Sequence, residues 1–105
     1  MIYEYRVYTV LPGRMRDLHE RFARVVFPTF EKHEMKPIGA WTPVIGGRSD
    51  QFMYILAYQD LAHREKGWAE FQADKDWVQE MQKGGGMIAY EESMIMKPTN
   101  FSPLK

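Results

Sequence analysis

"YEYRVYTV", residues 3–10, alternates in the manner of a β-strand, yet neither of its two faces suits contact with water. Successive side chains of a strand point to opposite sides of a sheet. The odd-numbered face consists of Tyr3, Tyr5, Val7 and Thr9, and the even-numbered face consists of Glu4, Arg6, Tyr8 and Val10. A half-exposed strand normally alternates apolar with freely soluble residues. We therefore expect both faces of this strand to be covered.

The composition indicates one small globular domain over residues 1–105. Hydrophobic residues make up 45% and aromatic residues 14% of the chain, which is too apolar for a disordered segment. The 14 basic residues balance 14 acidic ones, so binding to nucleic acid is not expected. The chain has no cysteine, which excludes disulfides and thiolate chemistry. No apolar run approaches the roughly 20 residues of a membrane helix, so we expect a cytoplasmic protein without membrane insertion.

Apolar periodicity and turn residues predict the element order β-α-β-β-α-β. Proline lacks an amide proton, so an interruption of the first helix is expected at Pro28, and Asp60 and Asp74 are predicted helix N-caps. This order is typical of the ferredoxin-like fold, an α+β plan in which helices cover one face of a four-stranded antiparallel sheet. The predicted strands lie at about 2–10, 37–46, 51–58 and 87–97, and the first helix lies at about 15–34.

The second face of this sheet is predicted to be a dimer interface. The third strand, "QFMYILAY", is apolar on both faces, and the last strand carries Tyr90, Met94 and Met96 amid its charges. An open sheet face of this kind exposes more hydrophobic surface than monomers normally tolerate. A second copy packed face to face would cover it symmetrically. We therefore expect a homodimer in which Glu4 and Arg6 are at least partly buried.

Several blocks of the chain resemble the NIPSNAP family, in the same order. They are "YEYRVYTVLPGR", "PTFEKHEMKPIGAW", "DLAHRE", "ADKDW" and "MKPTNFSPL", and they span nearly the whole sequence. Lys75 and Asn100 stand where that family often has proline. The resemblance implies a dimeric α+β barrel, a homodimer of two ferredoxin-like units. That group includes cofactor-free oxygenases, haem-degrading enzymes and lactone isomerases, while the NIPSNAP branch has no generally established reaction.

Arg6 is the first candidate for ligand binding. Its guanidinium group is always charged and presents a rigid fork of donors that suits a carboxylate or a phosphate. The alternative is a structural ion pair, either with Glu4 of a neighbouring subunit or with Glu91 or Glu92 on the last strand. A buried charge needs a partner in both cases.

Tyr8, Trp41 and Tyr58 are candidates for the walls of a ligand pocket. Aromatic side chains with a polar tip supply both shape and a hydrogen bond. The NIPSNAP resemblance also places aromatic residues in the blocks that contain Trp41 and Tyr58. The alternative is that these residues, together with Tyr54, belong to the core.

His33 is the candidate catalytic acid or base, because imidazole titrates near neutral pH. The preferred alternative is that its place near the end of the first helix reflects a favourable interaction of its cationic form with the helix dipole. His19 and His63 are interpreted as helix-surface residues. The three histidines follow no metal-ligand spacing, and no metal or other cofactor is predicted.

Two classes of function remain open at this point. The first is a mainly apolar pocket that holds a small metabolite, with Arg6 as the holder of an anionic group. If that pocket is catalytic, the residue types favour a cofactor-free oxygenase or an isomerase-type enzyme. The second is a non-enzymatic homodimer that interacts with a metabolite or another protein. A cavity beside Arg6 would favour the first class, and a filled layer with Arg6 fully paired to carboxylates would favour the second.

Overall fold

The computed structural model describes all 105 residues and has the ferredoxin-like, α+β architecture that was expected. Its four strands form one antiparallel sheet in the order β2-β3-β1-β4. Helical segments connect β1 to β2 and β3 to β4. None of these helices combines the length and the apolar character needed to span a membrane. The elements are β1 (Ile2–Val10), α1 (Met15–Arg21), a π-helical turn (Phe22–Val26), α2 (Phe27–Lys32), β2 (Lys36–Trp41), β3 (Gln51–Tyr58), α3 (Leu61–Ala73), α4 (Lys75–Gly84) and β4 (Ile88–Met96).

The pairing register places the even-numbered residues of β1 and β3 on the same face of the sheet. Arg6 lies opposite Tyr54, and Tyr8 lies opposite Phe52. Directly opposite residues of an antiparallel pair project to the same side. Tyr54 stacks against Phe30 of α2, with ring centroids 5.9 Å apart, so this is the face that the helices cover. The mixed face of β1, with its carboxylate and its guanidinium, therefore points into the protein.

The layer between the sheet and the helices is filled mainly by aromatic rings. The ring of Phe22 lies 4.8 Å from that of Phe52 and 5.1 Å from that of Tyr54, between centroids. Phe30 approaches Phe71 of α3 at 4.9 Å. Edge-to-face and tilted pairs at such distances stabilise a core beyond the effect of buried area. These contacts fix the helices over the inner ends of the β1 and β3 side chains.

The first helical segment is interrupted just before Pro28, as the sequence predicts. The N–H group of Phe27 bonds to the carbonyl of Phe22, five residues back, which makes Phe22–Val26 a π-helical turn. In a regular α-helix the ring of Pro28 would clash with the carbonyl of the residue four positions earlier. The π-helical turn lengthens the hydrogen-bond spacing from four residues to five and so relieves this clash. The segment then ends shortly before Glu34, whose φ of 63° reverses the chain.

Strand β2 is shorter than predicted, because it ends at Trp41 and does not continue to about residue 46. Pro43 cannot donate a hydrogen bond to a sheet. Gly46 and Gly47 have φ values of 80° and 70°, a left-handed conformation that suits turns. Residues 42–50 therefore form a loop that leads into β3.

The predicted N-caps of the later helices are confirmed. The side chains of Asp60 and Asp74 each accept a hydrogen bond from a backbone N–H group of the first turn, at 2.8 Å in both cases. Such acceptors satisfy donors that have no partner within the helix. With their starts fixed in this way, α3 and α4 place Trp68 and Trp77 against the core.

Candidate functional site

Glu4 is the centre of a buried polar network between the sheet and α3. Its side chain is 0% exposed and accepts hydrogen bonds from Arg6 at 2.9 Å, from Tyr58 at 2.7 Å and from two nitrogens of Arg64 at 2.9 and 3.1 Å. Trp68 donates its indole N–H to the hydroxyl of Tyr58 at 2.8 Å. Every oxygen of the carboxylate therefore has partners, as a buried charge requires.

This environment keeps Glu4 ionised. Burial opposes the charged form, but the hydrogen bonds from Arg64 and Tyr58 and the charge of Arg6 outweigh it and lower the pKa of Glu4 to about 2. The same burial and the adjacent carboxylate raise the pKa of Tyr58. Near neutral pH the network thus consists of a carboxylate, two guanidinium groups and a neutral phenol.

Arg6 also contacts a pair of tyrosine hydroxyls. Its Nε donates to the hydroxyl of Tyr54 at 2.9 Å, and its Nη2 donates to that of Tyr8 at 3.3 Å. The two hydroxyl oxygens are 2.6 Å apart, which is a short hydrogen bond. Burial raises the pKa of both tyrosines, so both remain protonated near neutral pH. The guanidinium carbon of Arg6 lies 4.6 Å from the ring centroid of Trp68, in a cation–π arrangement.

A cavity of about 130 Å³ adjoins this group, between the sheet and the helices. Its lining is mainly hydrophobic, with ten of fourteen residues of that kind. An engineered protein cavity of about 150 Å³ binds benzene, so this space accommodates a compact ligand of similar size. The residues that bring polar or aromatic groups to it include Arg6, Tyr8, Arg21, Tyr54, Trp68 and Trp77.

Arg21 is a second arginine that lines this cavity. Its side chain is only 3% exposed. Its Nε donates to Glu80 at 3.2 Å and its Nη1 to the carbonyl of Gly85 at 2.8 Å, but its Nη2 has no hydrogen-bond partner. Buried donors without an acceptor are rare in native proteins. Arg21 thus contributes to the helical side of the cavity, while its guanidinium group is bonded to Glu80 and Gly85 and its Nη2 lies against Gly84.

The structure brings three of the predicted site residues together. Arg6 and Tyr8 line the cavity. Tyr58 does not line it, but its hydroxyl donates a hydrogen bond to Glu4, the carboxylate that also accepts one from Arg6. The ion pair of Arg6 is made with Glu4 of its own chain, and Glu91 approaches at 3.9 Å. Arg6 is therefore both paired and adjacent to a cavity, so features of the two functional classes occur in one place.

Trp41 and His33 lie elsewhere. Trp41 is 49% exposed at the end of the edge strand β2, where it covers Gly39 and borders a separate apolar groove. His33 follows α2, with its Nε2 at 2.7 Å from Asp74 and its Nδ1 at 3.4 Å from Glu70. Neither residue lines the cavity beside Arg6. No group of three or more acidic or histidine side chains is arranged to hold a metal ion.

Sequence reasoning assigned no role to Arg21, Arg64 or Trp68. Arg21 looks like one more charged residue of the first helix, "MRDLHER". A signal was present nevertheless, because Arg21 follows the buried Leu18 by three residues and therefore shares its helix face. Arg64 and Trp68 are four residues apart on α3, a spacing that places both toward the sheet.

The chain is similar in sequence to proteins of the NIPSNAP family. The NIPSNAP sequence profile matches residues 3–103. Protein NipSnap homolog 3B of Mus musculus is 33% identical over 75 residues, which are 71% of this chain and 30% of that protein. Protein NipSnap homolog 2 of Danio rerio is 31% identical over 106 residues, which are 99% of this chain and 35% of that protein. The chain therefore spans about a third of the length of these curated relatives.

A solved structure extends the similarity to the whole fold. The X-ray crystal structure of protein Atu4242 from Agrobacterium tumefaciens superposes with a TM-score of 0.89 at 28% sequence identity. The alignment covers 100% of both chains. The ferredoxin-like architecture is thus shared with a protein of the same extent.

Proposed function

Because the chain belongs to the NIPSNAP family, we propose that it forms a homodimeric α+β barrel that binds a compact, anionic small molecule between its sheet and its helices. The observation that carries this proposal is the cavity of about 130 Å³ beside Arg6, with Arg21 on its other side. Apolar walls with a few convergent polar groups are typical of small-molecule sites. The charge balance of the buried layer supports an anionic ligand, and the size of the cavity supports a compact one.

The charge balance of the buried layer favours an anion. Glu4 contacts two guanidinium groups, those of Arg6 and Arg64, and the other buried glutamate, Glu80, pairs with Arg21. The other carboxylates that approach these arginines, Glu65 and Glu91, are exposed. Three guanidinium groups thus contact two buried carboxylates, so one positive charge has no buried counter-charge. Since burial of an unbalanced charge is unfavourable, a ligand that supplies a negative charge would stabilise the site.

The size of the cavity limits the ligand. Drug-sized molecules occupy pockets of roughly 300–1,000 Å³, whereas this cavity has about 130 Å³. A single aromatic ring or a short aliphatic chain with one acidic group fits such a space. The aromatic rings of Trp68 and Trp77 on the wall suit a flat ligand.

The dimer is proposed from the face of the sheet that the helices leave open. Its central side chains, among them Val7, Met53 and Ile55, are only partly buried, and Met94 of β4 is 55% exposed. A second copy of the chain, packed with the same face inward, would bury this surface in a symmetric interface. Two sheets stacked in this way lie about 10 Å apart and form the barrel.

Ligand binding is tested by thermal unfolding in the presence of small carboxylates such as benzoate, with benzamide as the uncharged counterpart. We expect benzoate, and not benzamide, to raise the melting temperature of the wild-type protein. Arg6→Ala and Arg6→Lys should both lose this stabilisation, because lysine keeps the charge without the fork of donors. Arg16→Ala, which removes an exposed arginine from the same protein, is the matched control and should keep it. An equal effect of benzoate on the Arg6 variants would contradict the proposed site.

A further inference from the structure

The hydrogen bonds of the Tyr8–Tyr54 pair leave one hydroxyl proton without an acceptor. A tyrosine hydroxyl has one proton to donate and two lone pairs that accept. Each of the two oxygens accepts a hydrogen bond from Arg6, and the bond between them uses one of the two hydroxyl protons. The other hydroxyl proton has no acceptor on the protein. Both tyrosines line the cavity, so this proton is available to a ligand there.

The groups around the pair favour an acceptor that carries negative charge. Arg6 donates to both hydroxyls, and the charge of Arg21, which also lines the cavity, is paired with Glu80. The one carboxylate of the lining, Glu91 on β4, is half exposed and lies 3.9 Å from Arg6. Hydrogen bonds to a charged acceptor are stronger than those to a neutral one. They are strengthened further when the donor itself accepts hydrogen bonds, as both hydroxyls do from Arg6.

We propose that the Tyr8–Tyr54 pair and Arg6 bind the deprotonated oxygen of a phenol or an enol, and that they favour its ionisation. This inference rests on the proposed ligand cavity and names the chemical class of its ligand. The O–H bond of the ligand breaks and its proton passes to water, while the tyrosines keep their protons and no covalent bond to the protein forms. The device thus resembles an oxyanion hole built from fixed side-chain donors.

The experiment uses 4-fluorophenol, a one-ring phenol whose ¹⁹F chemical shift changes when it ionises. The wild-type protein is titrated with pH in the presence of this probe, and the pH at which the bound probe ionises is compared with that of the free probe. We expect the bound phenolate to be enriched at least about tenfold over the free equilibrium, the effect of one hydrogen bond to a charged acceptor.

Variants identify the group responsible. In Tyr8→Phe or Tyr54→Phe alone, the remaining hydroxyl keeps one free proton and its bond from Arg6, so part of the enrichment should persist. The double variant Tyr8→Phe/Tyr54→Phe has no hydroxyl proton in the cavity and should lose it. Tyr5→Phe removes a hydroxyl from the opposite face of the sheet and is the control that should retain it. The folding of each variant is checked by its cooperative thermal transition.

The outcomes separate this inference from the proposal on which it rests. If 4-fluorophenol binds but ionises at the same pH in the wild type and in the double variant, the oxyanion site is refuted and the cavity stands. If neither 4-fluorophenol nor benzoate binds at millimolar concentration, both proposals are refuted. Enrichment that disappears only in the double variant supports the tyrosine pair.

Discussion

The face of the sheet that the helices cover carries a carboxylate, a guanidinium group and phenols, whereas the face turned away from them carries valine, isoleucine and methionine. On the covered face, Glu4 is fully buried and Arg6 contacts it at 2.9 Å. On the open face, Ile55 remains partly accessible and Met94 is 55% exposed. The covered face also carries Phe52 and Leu56, so it combines an ordinary apolar core with a buried ionic network, whereas the open face exposes apolar side chains that a solvated sheet face would normally lack.

This difference indicates that the two faces serve different purposes. Polar groups on the covered face are held by hydrogen bonds from three elements, which is the arrangement expected of a preorganised binding site. Apolar groups on the open face lack a covering layer within the chain, which is the arrangement expected of an association surface. Changes on the covered face should therefore alter stability and ligand binding, and changes on the open face should alter the oligomeric state.

The largest effect is expected from Glu4→Ala. Removal of this carboxylate leaves Arg6, Arg64 and the hydroxyl of Tyr58 without their common partner. Loss of one member of a buried ion pair destabilises proteins by about 3–5 kcal/mol. We expect a loss of that size in the free energy of unfolding, measured with urea. Glu31→Ala, which removes an exposed glutamate of α2, is the control and should change the free energy by less than about 0.5 kcal/mol.

A result in which Glu4→Ala and Glu31→Ala are equally mild would show that the covered face is no more sensitive than the exposed helix surface. It would mean that the guanidinium groups find other acceptors, such as Glu65 or Glu91, when Glu4 is removed. The buried network would then be adaptable and not preorganised.

The open face is tested by the pair Met94→Lys and Ile95→Lys. The two residues are neighbours on β4 and point to opposite sides of the sheet, with exposures of 55% and 42% in the single chain. A lysine at residue 94 places a charge in the proposed interface, where it would have no partner, so we expect dissociation of the dimer. At residue 95 it lies outside that interface, so the dimer should persist. Sedimentation at micromolar and nanomolar concentrations measures the mass, with 12.4 kDa expected for a monomer.

A wild-type protein that sediments as a folded monomer at micromolar concentration would refute the dimer. Equal dissociation of both variants would instead extend the interface around the edge strand β4. The comparison of the two variants therefore shows whether the dimer interface includes one side of β4 or both.

The two faces could be predicted from the sequence because strand alternation is a local pattern. The period of two in residues 3–10 separates Glu4, Arg6 and Tyr8 from their neighbours whatever the rest of the chain does. The partners of those residues could not be predicted in the same way. That Arg6 contacts Tyr54 depends on the register between β1 and β3, which a slip of one residue would reverse.

Residues placed by loops or by helix rotation were the least predictable. Trp41 stands at the end of a strand that stops before Pro43, and the accessible side of its ring depends on what covers the open face. His33 is oriented by its contact with Asp74, at the junction of α3 and α4, a residue 41 positions away. The burial of Arg21 was not predicted because buried arginines are rare, although its position on the same helix face as Leu18 could be inferred from the sequence.

The smallest effect is expected from pH, and it isolates one group of the covered face. The pKa of Glu4 is about 2 in the folded protein and 4.5 without these contacts. Between these values the unfolded chain binds more protons, so the free energy of unfolding falls as pH falls, by up to about 3 kcal/mol for this carboxyl. The pKa values of Asp74 and Glu80 are also lowered by basic neighbours. These two carboxyls add to the pH dependence of the free energy of unfolding equally in the wild type and in a variant that lacks Glu4.

Glu4→Gln should remove only the contribution of residue 4. Urea denaturation at a series of pH values should therefore show the wild type well above the variant near pH 6, with the gap narrowing as the pH falls toward 2. A gap that stays constant over this range would mean that the ionic state of Glu4 does not stabilise the fold. The covered face would then owe its stability to shape and neutral hydrogen bonds.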